Sequence, residues 1–73
     1  MNDLREYRIL NMNAPAAYTE QASNIALACE QFIGKRRLND YEYVCDSPQL
    51  AKIEVFSSSK QKIGLYMVCE AIK

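Results

Sequence analysis

The sequence predicts an α+β fold. Residues 1–73 are expected to form one small domain in the order β-α-β-β-β, an antiparallel sheet with one amphipathic helix packed on one face. Three observations carry this. The stretch Lys62–Ile72, taken as a strand, places Ile63, Leu65, Met67, Cys69 and Ala71 on one face. Its other face carries Gly64, Tyr66, Val68, Glu70 and Ile72. A strand wetted on one side alternates apolar and polar residues; this one is apolar on both and reads as central and covered twice. Next, Tyr18, Ala22, Ile25, Cys29 and Phe32 recur at spacings of four and three, the stripe of an amphipathic helix. Finally, two shorter alternating runs separated by turn residues precede the last strand. One helix covers one face of a sheet, so the second face is expected to meet something else.

The elements follow in chain order. Leu4 to Met12 is a first strand whose early charges suit an edge position. Asn13-Ala-Pro-Ala breaks it. The helix then starts with Pro15 in its first turn and Asn13 as cap, or with Thr19 capping a shorter version. Ala26 and Ile33 flank its stripe; Glu20, Gln21, Asn24, Glu30 and Gln31 line the opposite side with Leu27 among them. Gly34 is the expected stop, and Lys35, Arg36 and Arg37 complement the negative end of the helix dipole. A second strand spans Asp40 to Asp46, with Tyr41, Tyr43 and Cys45 on one face, and Ser47-Pro48 turns the chain. Leu50 to Ser57 is the third strand, and Ser57-Ser-Ser-Lys-Gln forms the hairpin loop into the last.

Composition narrows the function. A chain of 73 residues buries roughly 60% of its unfolded surface, so its core is marginal without help. Nine basic against nine acidic residues give no net charge, which argues against a general nucleic-acid or membrane binder. The three cysteines, Cys29, Cys45 and Cys69, are widely spaced, and no histidine accompanies them, so they read as buried free thiols rather than a zinc site. No leader-like or membrane-spanning run occurs, and a cytoplasmic location with reduced thiols is expected. With no histidine, no paired carboxylates and no phosphate loop, the chain reads as a non-enzyme that needs no cofactor or metal.

The candidate contact residues are Lys35, Arg36, Arg37, Tyr41, Tyr43, Phe56 and Tyr66. The basic tripeptide suits phosphate or an acidic surface, but dipole complementation and solubility account for it better. Tyr7, Tyr41, Tyr43, Phe56 and Tyr66 fall on the sheet. Tyrosine anchors protein interfaces because it brings a large area with few rotatable bonds. If Phe56, Tyr66 and Val68 share the face away from the helix, they form a continuous apolar patch of the kind that marks a binding surface.

In size and element order the whole chain resembles the small phage-encoded anti-defence proteins, anti-CRISPR inhibitors among them, although no sequence motif matches and no functional residue carries over. The resemblance implies a stoichiometric inhibitor that docks on a larger protein or ribonucleoprotein complex and blocks nucleic-acid binding or cleavage. The absence of net charge departs from the acidic DNA mimics of that group and leaves steric blocking. Self-association as a homodimer is the other expected use of the second face. Two further readings stay open: an oligomer that binds or sequesters a nucleotide-like small molecule between subunits, and a small nucleic-acid-binding regulator.

Overall fold

The computed structural model describes residues 3–71. Ile72, assigned above to the last strand, lies outside them, as do Met1, Asn2 and Lys73. Five strands form one antiparallel sheet, with one helix across one face. The strands are β1 (Arg5–Asn11), β2 (Ala16–Ala22), β3 (Tyr41–Ser47), β4 (Leu50–Phe56) and β5 (Lys62–Glu70), and the helix is α1 (Ile25–Arg36). Across the sheet their order is β2-β1-β5-β4-β3, so β5 is central, as its doubly apolar sequence requires. The fold class is therefore the expected one, but the element order is β-β-α-β-β-β.

The additional strand comes from the stretch assigned above to the start of the helix. Asn13-Ala-Pro-Ala is the tip of a β1–β2 hairpin; Ala14 N–H donates to Asn11 O at 3.4 Å and Asn13 N–H to Asn11 Oδ1 at 2.9 Å. A spacing of four is one helical turn and also two strand repeats. Tyr18 and Ala22 thus share a face in either conformation, with Glu20 between them on β2. The helix begins only after Asn24, whose extended backbone and side-chain oxygen cap it by accepting from Leu27 N–H at 2.9 Å. β1 gains a neighbour on each side and is not an edge; the edges are β2 and β3.

Gly34 does not end the helix. The stop is Arg37 in the left-handed region at φ 55°, followed by Leu38 N–H donating to Ile33 O and Arg37 N–H donating to Gly34 O, each at 3.2 Å. That pair of bonds is a Schellman motif with arginine where glycine is usual. Ile33 and Leu38 pack against the core beneath it.

The core lies between α1 and the sheet. Tyr7 and Ile9 on β1, Ala51 and Ile53 on β4 and Val68 on β5 meet Ala28, Cys29 and Phe32 of the helix. The register aligns them: Ile9 opposes Val68, and Val68 opposes Ala51. At the helix C-terminal end, Phe32 touches Tyr18 on one side and Tyr66 on the other, with ring centroids 5.5 and 5.0 Å apart. Of the three thiols only Cys29 is buried; Cys45 is exposed and Cys69 half-buried, which corrects the expectation that all three are internal. Burial pushes the Cys29 thiol up to about 12, with the neighbouring Cys45 and Glu30 adding to it.

Candidate functional site

The two faces of the sheet are unequal. Side chains alternate along each strand, so the residues beside the core residues point the other way. One register row crosses all five strands on that opposite face: Ala17, Leu10, Met67, Lys52 and Val44. The row next to it holds Thr19, Arg8, Cys69 and Leu50, and on the other side Leu65 opposes Glu54, which opposes Glu42. Nothing among the described residues covers this face. Leu10, Val44 and Leu50 are exposed there, and Leu65, Met67 and Phe56 are only half-buried.

The result is an apolar strip across the sheet with charges set around and into it. Arg8 and Lys52 supply the cations, Glu42 and Glu54 the anions. Lys62 Nζ meets Glu54 Oε2 at 2.7 Å and holds its carboxyl below the usual carboxylate range, mainly through that hydrogen bond. At the β1–β2 hairpin the strip continues into a shallow, open depression of about 380 Å³ bordered by residues that include Leu10, Met12, Pro15 and Ala17. A smaller hollow of about 250 Å³ lies at the far end, lined by Asp40, Tyr41, Glu42, Phe56 and Lys60.

The sequence-predicted contact residues do not converge on this face. Phe56 belongs to it. Tyr66 and Val68 do not, so the three-residue patch imagined above does not form: both point at the helix, Val68 fully buried and Tyr66 packed edge-on to Phe32. Tyr41 and Tyr43 share the helix side of β3 but lie at the sheet edge and remain exposed, opposite Val55 and Ile53. Tyr43 Oη lies 2.9 Å from Cys45 Sγ, a contact that raises the phenol's pKa.

The basic tripeptide divides three ways. Lys35 Nζ donates to Glu20 Oε1 and Oε2 at 2.9 and 3.0 Å. Arg36 lies 4.0 Å over the Tyr18 ring and 5.5 Å from that of Phe32, a cation–π stack. Arg37 caps the helix through its backbone and leaves its side chain exposed. Two of the three cations are thus used within the fold. The residues missed by sequence reasoning are Leu10, Leu50, Leu65 and Met67; the parity of β5 marked Leu65 and Met67 as one of two apolar faces without saying which was open.

Among the described residues there is no cluster of three or more histidine, cysteine, aspartate or glutamate side chains able to hold a metal, and no helix long and apolar enough to cross a membrane. Fold and surface together define a small α+β domain with one sheet face covered and one left open. No protein-family model, curated protein or solved structure matches this chain.

Proposed function

We propose that this chain is a non-enzymatic protein-interaction module that buries its open sheet face on a larger protein, and that it acts as a stoichiometric inhibitor of a nucleic-acid-processing or defence complex by steric occlusion. The observation that carries the interaction reading is the strip Ala17–Leu10–Met67 with Leu65 beside it, an apolar centre bordered by Arg8 on β1 and by Lys52 and Glu54 on β4, with Leu50 and Phe56 at the two ends of β4. Interfaces have this anatomy, a dry centre inside a polar rim. The open depression beside Leu10 and Pro15 extends the apolar area that a partner can cover. The inhibitor reading rests on the resemblance in size alone, since the element order on which the resemblance also drew is β-β-α-β-β-β, and the mixed charges of the face favour occlusion over mimicry of nucleic acid.

The test compares neighbouring residues of β5. Met67→Asp places a charge in the open strip and is expected to leave the circular dichroism spectrum unchanged while a high-salt pull-down loses its stoichiometric partner. Val68→Asp places the same charge in the core and is expected to unfold the chain. A partner retained by folded Met67→Asp overturns the choice of face. Inhibition is then assayed by titrating the chain into the captured complex, where activity must end at one equivalent; a complex that stays fully active when saturated overturns the inhibitor reading.

A further inference from the structure

We infer that a second copy of this chain pairs antiparallel along the free edge of β2, joining two five-stranded sheets into one. The two edges of the sheet differ in how they are protected. Edge strands in soluble proteins are blunted by charge, proline, bulges or shortness. β3 carries Glu42 and Asp46 and has a register irregularity between Cys45 and Ser47. β2 has seven residues in unbroken register, contains no proline, and presents Ala17, Thr19 and Gln21 on its open face.

The backbone of β2 is oriented for such pairing. Met12 N–H donates to Leu65 O and Ala71 N–H to Glu6 O, so the even residues of β1 bond to β5 and the odd ones to β2. In the β1–β2 register Tyr7 opposes Glu20 and Ile9 opposes Tyr18, which turns the even residues of β2 inward. The amides and carbonyls of Ala17, Thr19 and Gln21 therefore point away from the sheet. A two-fold axis at Thr19 pairs Thr19 with its own copy and Ala17 with Gln21 of the other chain. The Gln21 carbonyl accepts from the Gln31 amide at 3.2 Å, with that amide turned nitrogen toward Glu20, and keeps a second lone pair for the new strand.

The same axis sets Tyr18 beside Glu20 of the second copy. Arg36, stacked on Tyr18, then lies next to that carboxylate, a complementary charge on each side of the axis. Glu20 is the one inward-pointing charge on this edge. Its compensation by Lys35 within the chain means that pairing covers a neutralised group rather than a bare one. Leu27, one turn before Gln31 on the same helical stripe and 40% exposed, flanks the edge and gains cover.

Light scattering after size exclusion reads the mass of the 8.4 kDa chain over a wide concentration range, while hydrogen exchange reads the β2 amides. A two-chain mass is expected at high concentration, with the Ala17, Thr19 and Gln21 amides protected there and exposed on dilution. Thr19→Pro removes only an outward N–H and is expected to raise the dimer dissociation constant roughly 30-fold through the two hydrogen bonds lost by symmetry. Should that variant not fold, Ala17→Lys places a charge at the same edge and is expected to give monomer. Met67→Asp, on the open face, is expected to leave the dimer intact. A single-chain mass throughout overturns the inference, as does a dimer that survives the edge variants or is lost with Met67→Asp.

Discussion

Lys35→Met is the sharpest probe of the fold, because the ion pair it breaks has one wet end and one dry end. Glu20 is 5% exposed, whereas the Lys35 side chain is 69% exposed. Exposed pairs contribute about 0–1 kcal/mol, and judged from the lysine this pair belongs with them. The carboxylate decides otherwise, since its desolvation cost persists when the lysine is gone. Lys35 engages both oxygens; only the Gln31 amide, at 3.0 Å, would remain. Leaving a buried charged acceptor underserved costs about 1–3 kcal/mol. At about 2 kcal/mol, a domain of this size loses roughly 8–16 °C in melting temperature. Methionine keeps the aliphatic stem, so lost packing contributes little. Thermal denaturation at neutral pH followed by circular dichroism measures the loss. Adding Glu20→Gln is expected to recover about half of it, because a neutral amide needs no cation. Arg5→Met, which breaks a looser 3.8 Å contact to a Glu70 side chain that is 24% exposed, serves as the weaker-pair comparison. A Lys35→Met shift no larger than that of Arg5→Met would refute the claim that the buried carboxylate controls the energy.

Arg37→Gly is expected to stabilise the fold by about 0.5–1 kcal/mol, because a left-handed residue with a Cβ costs about 1–2 kcal/mol and glycine returns part of that as unfolded-state entropy; a lower denaturation midpoint in urea would contradict it. Thiol titration with an aromatic disulfide reagent is expected to modify Cys45 first, Cys69 next and Cys29 only on unfolding, so equal rates for all three would contradict the burial order. The unfolded chain releases the Cys29 proton from about pH 9 and the folded chain only near 12, so this thiol's contribution to stability is present below pH 9 and falls as pH rises through that window. The decline should be steeper in the parent than in Cys29→Ala, and parallel curves would refute the assignment.

Much of this architecture is legible because its signals are local. The meander of β3, β4 and β5 is written in alternation and in the turns Ser47-Pro48 and Ser57 to Gln61; Gln49 N–H accordingly donates to Ser47 Oγ, and Ser57 N–H to Gln61 O. The helix after Ile25 is written in Ile25, Cys29 and Phe32. The failure at β2 is equally local in cause. Apolar residues four apart satisfy both periods, and only Ser23-Asn24 ahead of Ile25 distinguishes a late cap from an early one. The basic tripeptide misled for a different reason. Side chains on helix ends find partners across the sheet, here Glu20 and Tyr18, and nothing in the linear order of Lys35 and Arg36 announces which strand will lie beneath them.

The open face was illegible for a reason of symmetry. Along β5 both parities are apolar, so the sequence of that strand permits the helix to lie against Met67 or against Val68. The neighbours break the tie. In register, Val68 lies between Ile9 and Ala51, whereas Met67 lies between Leu10 and Lys52. Packing the helix on the Met67 side would bury Arg8 and Lys52 against Phe32, each charge costing several kcal/mol without a buried partner. The same cations on the outer face reach water, yet they do not make the centre of that face polar, because Leu10, Met67 and Leu65 remain contiguous between them. One strand therefore supplies both the core and the surface proposed for a partner, and the charged residues of β1 and β4 decide which is which.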